Sequence, residues 1–130
     1  MKIAEGANKK LIMHASVDLV QGAFAHLEFL RTVDDYPCLF EGPYLKQALQ
    51  RYETLWLPLA AENSTEILAA PLDIEWAWHC HILAPHFYRK DCKAVYGKLI
   101  NHKLLRSSER IERLPRSREL WEKKYPNETV

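Results

Sequence analysis

Glycine is scarce in this chain, at four residues in 130, and none belongs to a phosphate-cradling loop of the GxGxxG or P-loop kind. Internal repeats and low-complexity tracts are missing as well. So is charge of one sign. Eighteen basic and seventeen acidic side chains leave a formal charge of +1, whereas a dedicated nucleic-acid binder carries a clear basic excess. No apolar run is long enough to span a bilayer. The amino terminus, "MKIAEGANKKLIMHAS", lacks the continuous apolar segment of a secretory signal. Cysteine is limited to Cys38, Cys80 and Cys92, an odd number without a CxxC pair. That usage points to reduced thiols in a cytoplasmic protein rather than to a disulfide framework.

What remains fits a single domain, long enough to bury a core without covalent staples. Residues 1–14 read as an N-terminal extension and residues 15–130 as one helical module. Ser16 is placed to cap a first helix whose apolar stripe is Val17, Val20, Phe24, Leu27 and Leu30. After the turn-rich "DDYPCLFEGP", a second helix starts near Pro43, with Leu45, Leu49, Tyr52, Leu55 or Trp56, and Leu59 on one face. Pro58 lies inside that pattern and predicts a kink or an end. "PLD", with Asp73 as the cap, opens a third helix through "IEWAWHCHIL". Pro85 opens a fourth and Gly97 closes it. Ser107 or Ser108, and Ser117, are suited to cap two short helices that end at "WEKKYP". No stretch alternates with period two, so the fold class is all-α, a compact single-domain bundle of five or six helices.

The chemistry concentrates in "WAWHCH", Trp76 to His81. Two residues apart on a helix is about 200° of rotation, so His79 and His81 leave opposite sides and do not share an ion. Chelating pairs on helices stand at i, i+3 or i, i+4, and no two histidines here do. His79 lies one turn after Glu75, a carboxylate placed to orient the ring or raise its pKa. The same rotation turns at least one of Trp76 and Trp78 inward. The metal candidates are His81, His79, Cys92 and His102, not all at one ion, with Asp73 or Asp91 as acceptors for a ring nitrogen. His14, His26 and His86 are more remote. No cofactor is expected; zinc or another transition metal is the alternative. The competing structural reading makes the histidines hydrogen-bonded core residues, and Cys80 and Cys92 small buried hydrophobes. A Cys–His nucleophilic pair would lack a third, orienting residue, so no catalytic residue is assigned. The arginines from Arg106 to Arg118 interleave with glutamates and read as a solvated, ion-paired face, with a phosphate-binding strip as the lesser reading.

The runs "ETLWLPL", "PLDIEWAWHCHILAPHFYRKDC" and "RELWEKKYPNE" resemble the glycine-rich domain-containing-protein-like family, a domain of unknown function found in plants, fungi, animals and bacteria. The matching positions are Pro71, Asp73, Trp76, Trp78, His79, His81, Leu83, Pro85, Tyr88, Asp91, Cys92 and Gly97. His102 falls on the second histidine of a bacterial "IHH", with Asn101 in place of the first. Some plant members carry phenylalanine at the position of His79, so the resemblance favours His81 as the functional member of the pair. It also implies links to growth and stress responses and, through further carboxy-terminal parts of long plant members, to RNA. This chain stops at "YPNETV" and carries no RNP-type aromatic motif, so RNA is a weak candidate partner. The expectation is a non-enzymatic interaction or regulatory domain with a protein partner and no membrane. The alternative is a metal- or ligand-binding protein, or an uncharacterised enzyme, centred on the motif helix.

Overall fold

The computed structural model describes residues 11–130, which hold five helical segments and no strand. The all-α expectation is met. The proposed extension falls mainly on residues 1–10, which lie outside the described residues. No described helix is long and apolar enough to cross a membrane.

The first helix, α1, spans Leu19–Asp34, and its cap is Asp18 rather than Ser16. The Asp18 carboxylate accepts from the amides of Val20 and Gln21, both at 3.1 Å. The face turned inward is also not the expected one. Ala25, Phe29 and Val33 are buried, whereas Val17, Val20, Phe24, Leu27 and Leu30 are exposed, Val20 at 64% and Phe24 at 49%. α1 has two apolar faces, and periodicity alone does not say which one the body of the domain takes. The body takes the narrower face, where Phe29 packs on Trp76 and His79.

The second helix, α2, runs over residues 43–62 in three parts: Pro43–Arg51, a π-helical turn at Tyr52–Trp56, and Leu57–Glu62. Gly42, at φ 82°, makes the left-handed entry that glycine tolerates. Pro58 does not end the helix. Instead the Leu57 amide reaches back five residues to the Tyr52 carbonyl. A wider turn just before the proline makes room for its ring, which in a regular helix would meet the carbonyl four residues earlier. The Thr54 hydroxyl donates to the Gln50 carbonyl at 2.7 Å. Tyr52, Trp56, Leu57, Leu59 and Ala60 are all buried along this helix.

Helix α3 spans Leu72–Ile82 and α4 spans Pro85–Tyr96. Pro71 occupies the cap of α3 without a side-chain bond, so Asp73 is not the cap. It sits in the first turn, where its carboxylate accepts from Arg51. α4 begins with Pro85 and ends at Gly97 in the left-handed region, φ 72°, as its punctuation predicts.

The last helix, α5, is a single element, Ser107–Lys124, running through Pro115 where two short helices were expected. Ser117 is not a cap. Its hydroxyl donates to the Arg113 carbonyl at 3.0 Å and accepts the Ala69 amide at 2.8 Å. Arg110 and Arg113 donate to the carbonyls of Ala70 and Ile67. The segment 67–70 is thus clamped on both sides of Pro115, and these bonds keep the helix whole across the missing donor. Neither Ser107 nor Ser108 is the cap of α5, which is Arg106. Glu28 on α1 accepts from Arg106 and from both the amide and the hydroxyl of Ser107. A carboxylate from another helix therefore meets the positive end of α5. Its pKa falls to about 2, chiefly through the Arg106 hydrogen bond.

The core lies between α2, α3, α4 and α5. Trp56 sits at its centre, edge-on to Trp78 at 5.8 Å and stacked with Trp121 at 6.4 Å between ring centroids. Burying three tryptophans together supplies a large share of the apolar area that stabilises a domain of this size.

Candidate functional site

α3 lies in the middle of the bundle and sends each motif side chain to a different neighbour. Trp78 points into the core, and its indole N–H donates to the Tyr88 hydroxyl at 3.0 Å. Tyr88 in turn donates to the Ile100 carbonyl, and burial raises its pKa. Trp76 is half-buried on the other side, donating to the Leu39 carbonyl at 2.9 Å. One tryptophan turns inward, as the 200° rotation requires.

The two histidines also diverge. His79 faces α1, with ring centroids 5.1 Å from both His26 and Phe29. Its pKa is lowered, first by partial burial and then by His26. The expected upward push from Glu75 is present but is outweighed by these two; the Glu75 carboxylate itself bonds elsewhere. Glu75 is buried and lies 2.6 Å from Nε2 of His102, whose ring meets Trp78 edge-on at 4.4 Å. An acid inside the otherwise apolar run "DIEWAW" was a legible sign of a buried partner, but its distance in sequence concealed that the partner is His102.

His81 faces α2 and α4. Its Nε2 lies 2.8 Å from Asp91 Oδ2 and its Nδ1 lies 2.7 Å from the Tyr52 hydroxyl. A carboxylate only accepts, so Nε2 carries the hydrogen. The Tyr52 phenol is buried, its pKa is driven up by desolvation, and Nδ1 is its one partner among the described residues. Its proton therefore goes to Nδ1, an arrangement in which Nε2 is the ring's donor and Nδ1 its acceptor. Of the two acceptors read from the sequence, Asp73 and Asp91, Asp91 meets His81, while Asp73 is paired with Arg51. Tyr52 was read only as part of an apolar stripe, and nothing in its spacing announced a bond to α3.

Of the four metal candidates, only His81 and Cys92 line one cavity. His79 and His102 leave from other sides of α3 and of the loop after α4. Among the described residues no group of three or more His, Cys, Asp or Glu side chains is placed to hold a metal ion. Cys92 is buried as expected, whereas Cys80 is exposed at the cavity rim, its thiol pKa raised by partial burial. The ion-paired face expected here is present at Arg106, paired with Glu28, and at the exposed Arg116, paired with Glu66 and Glu119, whereas Arg110 and Arg113 turn to the carbonyls of Ala70 and Ile67.

The chain belongs to the glycine-rich domain-containing protein-like family, whose model matches residues 2–91 and 87–130. Among curated proteins it is similar to glycine-rich domain-containing protein 2 of Arabidopsis thaliana, 42% identical over 119 residues. It is likewise similar to glycine-rich domain-containing protein 1 of the same plant, 40% identical over 119 residues. The alignments cover 87% of this chain but only 15% and 14% of those two proteins. No solved structure matches.

Proposed function

We propose that this domain is a non-enzymatic interaction module whose α1 receives an amphipathic helix of a partner protein on its outer face. One observation supports the reading above others. On α1, Val20, Phe24, Leu27 and Leu30 succeed one another at spacings of four, three and three residues and all remain exposed. That is the spacing of a helix–helix seam, and contiguous exposed apolar side chains on a folded domain are uncommon without a partner. A binding role also suits the motif, where Trp76, Trp78 and His81 are hydrogen-bonded to other parts of the domain rather than left free for a substrate. A cytoplasmic setting belongs to the same proposal, supported by the free thiols of Cys38, Cys80 and Cys92. The proposal involves no metal, cofactor or RNA.

The test compares wild-type protein with a Phe24→Glu, Leu27→Glu double variant. Proximity crosslinking in cells identifies proteins that lie against α1, and a synthetic helical peptide from each is titrated against both proteins by calorimetry. The expected result is direct binding that weakens at least about tenfold in the variant. Equal capture and equal affinity for both proteins would overturn the reading. Sedimentation of the wild-type protein as a dimer that the variant abolishes would replace the foreign helix with a second copy of this chain.

A further inference from the structure

On the side of α3 away from α1, a cavity of about 470 Å³ opens between α2, α3 and α4. Its volume falls in the range of sites for small organic ligands, roughly 300–1,000 Å³. Leu49, Leu57, Ala77 and Val95 give it apolar walls. Its charged lining is of one sign, Glu53 and Asp91, and no lysine or arginine lines it. Neither carboxylate has a lysine or arginine partner among the described residues.

The Tyr52–His81–Asp91 chain decides what this lining can bind. In it, one Asp91 oxygen is held in place by His81 Nε2 at 2.8 Å. Asp91 is 58% exposed, which leaves its other oxygen open to a donor. Next to low-dielectric walls, two uncompensated carboxylates repel anions and attract a cation more strongly than they would on an open surface. The Tyr96 ring on the same wall adds a face on which an ammonium can rest.

We propose that this cavity binds a small hydrophobic amine, its ammonium group between Asp91 and Glu53 and its hydrocarbon body against Leu49, Leu57 and Val95. A bare metal ion is a poorer occupant, because among the described residues no three His, Cys, Asp or Glu side chains are placed to hold one. The site is independent of the α1 face, and neither reading depends on the other.

The experiment is an amide NMR titration of the whole protein at pH 7 and low salt with 2-phenylethylammonium. Phenylethanol and phenylacetate serve as probes of the same size. Shifts are expected at Tyr52, Cys80, Asp91 and Val95, with the amine at least about tenfold tighter than the alcohol and no binding of the acid. Glu53→Gln, at an exposed position, should weaken the amine and leave the alcohol unchanged. Val95→Lys, at a site 72% exposed, should place an ammonium over the cavity and abolish amine binding. Its own amide spectrum checks that the fold persists. The proposal fails if alcohol and amine bind alike, if the shifts lie elsewhere, or if nothing binds by about 10 mM. It also fails if N-acetyl-lysine methylamide binds at least as tightly, which would assign the cavity to a peptide side chain instead.

Discussion

α1 and α3 are both dense in apolar and aromatic residues, yet the fold uses them differently. α3 is consumed by the domain: Asp73, Glu75 and Trp76 bond three separate segments of chain, and Trp78 and His81 both bond α4. α1 spends only Ala25, Phe29 and Val33 on the core and leaves a second apolar row in water. An apolar-rich motif is therefore not by itself a functional surface. In α3 the composition specifies architecture, and in α1 the outer row is left exposed.

That contrast can be broken by substitution, and the largest effect is expected in α3. Trp78→Ala should cost about 3–5 kcal/mol in urea melts, and Trp76→Ala, half-buried, clearly less. Equal losses at both would mean that α3 does not have one inner side. Next is His102→Ala, which strands the buried Glu75 carboxylate and should cost about 3 kcal/mol. Adding Glu75→Gln should recover part of that loss, because the stranded charge disappears.

These two cases show how far the sequence could be read. The inward tryptophan, the divergence of His79 and His81, the Asp91 acceptor, and the Pro85-to-Gly97 limits of α4 follow from helix geometry and from residues whose backbone preference is strong. The misread features share one cause. The apolar face of α1, the course of α5 through Pro115 and the Glu75–His102 pair are all decided by what lies opposite in space. Glu75 is one turn from His79 and 27 residues from His102, and the nearer histidine was the natural choice. Ser16 lost to Asp18 by two positions, within the ordinary uncertainty of helix ends.

Smaller effects sharpen the comparison. Tyr52→Phe removes the donor to His81 Nδ1 and should cost about 1 kcal/mol. The nitrogen shifts of His81 should report an Nε2–H tautomer in the wild-type protein, and an Nδ1–H tautomer would refute the assigned chain. At the α1–α3 contact, His79 has a pKa below its usual 6.5. The folded state then binds fewer protons than the unfolded chain, so His79's contribution is intact above pH 6.5 and is lost as the pH falls from there through the lowered value. His79→Phe should flatten that part of the stability–pH curve. Smallest of all, Phe24→Glu on the outer face of α1 should shift stability by less than about 0.5 kcal/mol. A loss of several times that would mean the outer row packs on the domain after all.

The π turn at Tyr52–Trp56 has a consequence of its own. One residue of an α-helix is a rotation of roughly 100°, so the wide turn resets the phase between the two ends of α2. Tyr52 reaches His81 from one phase, while Leu59 and Ala60 face the core from the other. The wide turn holds one residue more than a regular turn, so losing one residue there would restore α-helical geometry and bring the Pro58 ring against the carbonyl four residues earlier.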